Sequence, residues 1–87
     1  MTRNVKILKS LKKSDSYLFV DQNKNFSELP AELQKVFGSY DLVMEMELSP
    51  SKKLARAEAK EVLAAIESVG FYLQLPPNLN EIQSGLS

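Results

Sequence analysis

Between Asp41 and Leu48 the chain reads DLVMEMEL, and this stretch limits the possible folds more than any other. Leu42, Met44, Met46 and Leu48 alternate with Asp41, Val43, Glu45 and Glu47, the period of two expected of a strand with one buried face. Pro50 follows and offers no backbone donor, which helps to end the run. Such a strand is stable only inside a sheet, and the neighbouring segments must supply the rest of it.

Two further runs, NVKILKS and SYLFVD, are rich in β-branched and aromatic residues and are separated by the polar LKKSD. They predict strands near 4–10 and 16–21 paired antiparallel through a hairpin. Tyr17 to Val20 are all apolar, so periodicity does not assign their faces; Leu18 and Val20 are expected inward with Val5 and Ile7. FSELPAELQKVFGSY predicts a short helix with Ser27 as its cap, Pro30 in the first turn and Gly38 at the stop. Its stripe is Leu29, Leu33, Val36 and Phe37.

The strongest helical pattern lies in SKKLARAEAKEVLAAIESVG, where Ala59, Val62, Leu63, Ile66 and Val69 recur at helical spacing. This helix is expected to begin between Ser51 and Arg56 and to end at Gly70 in a left-handed cap. FYLQL predicts the last strand, with Phe71, Leu73 and Leu75 inward and Tyr72 and Gln74 outward. Pro76 and Pro77 stop it, since neither can donate to a ladder. After them, Asn78 or Asn80 is a candidate cap for one weak turn, with Leu79 and Ile82 packing back.

The predicted order is therefore β-β-α-β-α-β. It defines an α+β fold, a four-stranded sheet with the helices packed on one face. The third and fourth strands are expected to be parallel neighbours across a helical connection. Eighty-seven residues suit one domain, placed at 1–79, with 80–87 as a short frayed tail. No apolar run reaches the roughly 20 residues of a membrane span. Cysteine is absent, which fits a reducing compartment, and the expected location is cytoplasmic.

Composition removes most chemistry. Histidine and cysteine are both missing, and with them go the commonest general base, the usual nucleophilic dyads and most transition-metal ligand sets. Gly38, Gly70 and Gly85 are scattered and build no phosphate loop. No cofactor or metal is expected. Glu45 and Glu47, roughly 6–7 Å apart along a strand, form a carboxylate pair that also reads as an ordinary solvent-facing strand surface.

Charge is balanced overall, with 11 basic and 11 acidic side chains, but unevenly placed. Arg3, Lys6, Lys9, Lys12 and Lys13 fall in a first segment without acids, while the middle of the chain is acidic. Lys9, Lys12 and Lys13 surround the first hairpin loop; Lys52, Lys53 and Arg56 precede the long helix. If the two loops converge, these six are candidate contacts for nucleic-acid phosphates; otherwise they are ordinary surface lysines that discourage edge pairing. Tyr17, Phe19, Tyr72 and Gln74 form a candidate interaction face if the sheet surface opposite the helices is open.

The segments YLFV, FSELPAEL, FG, KKL and especially GFYLQLPP resemble, in the same order and at similar spacing, the YcgL-like domain proteins of gammaproteobacteria. The likeness covers roughly residues 5–79, and YLQLPP with the upstream KKL is its specific part. It implies a small α/β domain of a cytoplasmic bacterial protein with no established biochemical activity, and it supplies no catalytic or ligand residues. One departure is Arg56, which stands where the family often has a polar cap; Ser49 or Ser51 is then the candidate cap. The functional expectation is a non-enzymatic interaction module for a protein partner, acting through the sheet face, the first-hairpin edge or the LPP exit. RNA or DNA binding through the lysines is the alternative, and an enzyme using Glu45 and Glu47 ranks third.

Overall fold

The structure, a computed structural model, describes residues 2–54 and 57–75. Strands β1 (Arg3–Ser10), β2 (Tyr17–Asp21), β3 (Tyr40–Leu48) and β4 (Phe71–Gln74) form one sheet in the order β3-β1-β2-β4. Helix α1 (Ala31–Phe37) follows a 3-10 turn at Phe26–Glu28, and α2 (Ala59–Val69) precedes β4. The α+β class, the four-stranded sheet and the element order agree with the sequence.

All three strand pairings are antiparallel. The expected parallel contact between the third and fourth strands is replaced by the greatest separation the sheet allows, since β3 and β4 are its two edges. The residues from Ser49 to Gly70 carry the chain across the sheet, and β4 then adds beside β2.

The sequence led us to expect both helices on one face of the sheet, but they pack on different faces. Two clusters of buried side chains lie on opposite sides of the sheet. Val5, Ile7, Phe19 and Leu48 pack with Ala59, Val62, Leu63 and Ile66 of α2. Leu8, Leu18 and Val20 pack with Leu29 and Phe37, which lie just before Pro30 and at the end of α1. The run Tyr17–Val20 is continuously apolar because β2 is an inner strand with a hydrophobic layer on each side, so its residues alternate between two cores. Register shows the same division: Ile7 stands opposite Phe19, and Leu8 opposite Leu18. Leu18 and Val20 therefore do not join Val5 and Ile7. β4 is likewise divided, with Phe71 and Leu73 against the second cluster and Tyr72 against the first.

Local chemistry shifts both helix starts. Asn25, not Ser27, begins the first helical segment, and its N–H donates to the Glu28 carboxylate at 3.1 Å, one half of a capping box. Pro30 then stands at the N-cap of α1, where its missing donor is harmless. α2 begins at Ala59 behind Glu58, later than expected. Ser49 and Ser51 instead lie 3.3 Å apart, hydroxyl to hydroxyl. Gly70 closes α2 at φ 94°, the left-handed cap its position requires.

β3 departs from simple alternation. Met44 is opposite Ile7, but Leu42 is opposite Leu8, and the register shifts between these pairs. One extra residue, Val43, is thus inserted on the β3 side as a bulge. Leu42 is turned to the face of Leu8 and α1, whereas Met44, Met46 and Leu48 keep the face of α2.

Candidate interaction surface

α2 lies over β2 and β4, on the side of the sheet away from β3. The first half of β3 is left outside both layers. Leu42 is 54% exposed, Val43 49% and Met44 49%. Leu48, at the other end of the same strand, is fully buried. Tyr40 is partly exposed and stacks on Phe26 with ring centroids 4.4 Å apart. Three adjacent, half-exposed aliphatic side chains on a nine-residue edge strand are the kind of surface that marks an interaction site.

A groove of about 380 Å³ runs beside this edge on the α2 face, lined by Ile7, Tyr17, Val43, Met44, Leu54 and Gln74, with Phe19 and Lys53 at its walls. Its existence follows from the connection after β3, which folds back so that Leu54 packs against the first core. The aromatic set expected from the sequence is therefore divided. Tyr17 and Gln74 line the groove. Phe19 is buried beneath α2, and Tyr72 meets its ring edge-on at 6.0 Å. α2 covers the Phe19 part of this face, while Tyr17, Tyr72 and Gln74 stay partly exposed.

The lysines take separate positions. Lys12 lays its stem over Gly38, and its ammonium donates to the Lys35 carbonyl at 3.4 Å. Lys13 is exposed in the hairpin loop, and Lys9 stands between Tyr17 and Asp41 in register. Lys52 and Lys53 line a depression of about 410 Å³ with Pro50, Glu58 and Lys60 at the start of α2. Lys53 alone also reaches the groove. Arg56 lies outside the described residues, as do Asn78, Asn80, Leu79 and Ile82 of the tail.

Glu45 and Glu47 are exposed and stand opposite Lys6 and Asn4. Glu45 accepts a long hydrogen bond, 3.4 Å, from Gln22. Among the described residues no group of three potential ligands gathers to hold a metal ion. The Asp21 carboxylate is held below its ordinary pKa by the Asn23 N–H at 2.9 Å and, after an opposing effect of burial, by Arg3 at 3.0 Å. That cluster ties the ends of β1 and β2 together and is structural.

The exposed half of β3 and the groove were not legible as a site. Alternation placed Leu42 and Met44 in the core, and within β3 itself the period of two does not show that the first half of the strand lies at an uncovered edge.

The fold and its surface define a small α+β domain that presents an edge strand and an apolar groove. Comparison with known proteins gives the family: the model of the YcgL domain matches residues 5–77, and the chain belongs to that family. A YcgL domain-containing protein of Saccharophagus degradans is 51% identical over 73 residues, covering 84% of this chain and 80% of the relative. One from Marinobacter nauticus is 49% identical, covering 83% and 74%. One from Pectobacterium atrosepticum is 41% identical, covering 87% and 89%. Their names specify the domain without an activity. Among the described residues no helix is long and apolar enough to cross a membrane.

Proposed function

We propose that this domain is a non-enzymatic interaction module whose contact surface for a protein partner is the first half of β3 together with the adjoining groove. The observation that carries this reading is the exposure of Leu42, Val43 and Met44 on a strand whose other end is fully buried. Burying such side chains against a partner returns about 25 cal/mol per Å² of apolar area. The groove is lined mainly by apolar side chains with Tyr17, Lys53 and Gln74 among them, the mix of apolar surface and a few polar groups that recognition sites use.

Nucleic-acid binding ranks second because Lys12 is engaged with the Lys35 carbonyl while Lys52 belongs to the depression beside α2. Phosphate contacts from these lysines would require an affinity that falls steeply with salt.

The test is affinity capture on immobilised full-length chain, comparing wild type with Met44→Lys and with Glu32→Lys on α1. A partner retained by wild type and Glu32→Lys, and reduced about tenfold or more by Met44→Lys, is the expected result. Equal recovery on all three baits overturns the reading.

A further inference from the structure

The bulge in β3 has a geometric consequence for the edge it interrupts. The Leu11 N–H donates to the Ser39 carbonyl at 2.8 Å, and the Gln22 N–H donates to the Asn4 carbonyl at 2.9 Å. Odd-numbered residues of β1 therefore turn their main-chain groups toward β3, and even-numbered ones turn theirs toward β2. Carried through the register, Asp41, Met44, Met46 and Leu48 point their N–H and C=O groups inward at β1. Tyr40, Leu42, Glu45 and Glu47 point theirs outward from the free edge.

An added antiparallel strand must place outward positions against outward positions. The four outward positions are symmetric about the Val43–Met44 peptide: Tyr40 and Glu47 lie at equal distances in sequence from it, as do Leu42 and Glu45. A second β3 run in the opposite direction thus matches all four positions in a single register. Tyr40 faces Glu47 of the second copy, and Leu42 faces its Glu45. A twofold axis then passes through the bulges and brings Val43 and Met44, each 49% exposed, against the same pair.

Charge agrees with this register. Asp41 falls opposite Met46, Glu45 opposite Leu42 and Glu47 opposite Tyr40, so no carboxylate directly opposes another. Within each copy, Lys9 stands beside Asp41 and Lys6 beside Glu45. The opposite edge offers no rival, because β4 has four residues and is followed closely by Pro76, which lacks a donor.

We infer that β3 of this domain pairs with β3 of a second copy, joining two four-stranded sheets into one eight-stranded sheet with Val43 and Met44 at the twofold axis. The inference rests on the reading of β3 as the interaction surface and names its occupant. Such an interface is isologous, the form closed dimers take.

Sedimentation equilibrium of the full chain over a concentration series tests it. The wild type is expected to rise from 9.8 kDa toward twice that mass. Leu42→Pro removes an outward N–H that β1 does not use, and Met44→Lys sets two ammonium groups against each other at the axis. Both are expected to weaken association at least tenfold while an amide correlation spectrum shows the fold retained. A wild-type mass that stays monomeric to millimolar concentration overturns self-pairing, as does a dimer that both variants leave intact. A monomer that still shows Met44-dependent capture of another protein removes the second copy and leaves the proposed function standing. A dimer with no such capture supports self-pairing and limits the surface to it.

Discussion

The Ser10 hydroxyl donates to the Phe37 carbonyl at 2.6 Å, in a buried contact between the end of β1 and the end of α1. The same oxygen accepts the N–H groups of Lys12 at 3.2 Å and Lys13 at 2.9 Å. One small side chain thus satisfies the last carbonyl of a helix and two donors of the hairpin loop. Ser10→Ala leaves all three without this partner, and the expected loss is about 1–3 kcal/mol in urea unfolding. Ser14→Ala, in the exposed part of the same loop, is expected to change stability by less than about 0.5 kcal/mol.

Gly38 links this corner to the lysines. Its φ of 70° favours glycine, and an added Cβ would lie 2.9 Å from Lys12 Cδ and 3.0 Å from Lys12 Cβ. Gly38→Ala is expected to destabilise by about 1–3 kcal/mol. Combining it with Lys12→Ala removes the far end of the clash and leaves the backbone strain, so thermal denaturation of the double variant is expected to show partial recovery.

Two cores on opposite faces make a separate expectation about packing. Leu18, fully buried on the α1 side, and Val62, fully buried on the α2 side, should both be sensitive. Leu18→Ala is expected to cost about 2–5 kcal/mol by chemical denaturation. A sheet covered on one side only would make one of the two faces tolerant. Leu42→Ala, at 54% exposure, is expected to stay within about 1 kcal/mol.

Asp21 gives the pH dependence its sign. Its folded pKa is lowered, first by the Asn23 N–H and then by Arg3. Its contribution is therefore fully present above the ordinary carboxylate pKa of 3.8 and is lost as pH falls through the lower folded value. Both side chains of the ion pair are about one-third exposed, so the effect is held to roughly 1 kcal/mol or less. Urea titrations of wild type and Asp21→Asn are expected to differ at neutral pH and to converge in strong acid.

Much of the fold was legible because each element carries its own local signal. Gly70 marks the left-handed end of α2, and Ala59, Val62, Leu63 and Ile66 mark its buried stripe. What was not legible depends on partners distant in sequence. The four apolar residues Tyr17–Val20 are compatible with one covered face or two, and only the placement of Phe37 against Leu18 decides. The bulge at Val43 leaves the sequence pattern of β3 intact while turning Leu42 to the opposite face from Met44. The candidate surface was hidden for the same reason, since alternation assigned Leu42 and Met44 to the core and Val43 to the face of the acidic residues.

The central claim is that the first half of β3 meets another protein. Photo-cross-linking in the producing bacterium tests it most directly, with a photoreactive residue at Val43 and, as the control, at Glu32 on α1. The expected result is a discrete adduct from position 43, either of twice the chain mass or with another protein, that position 32 does not give. Equal and diffuse labelling from both positions would contradict the claim.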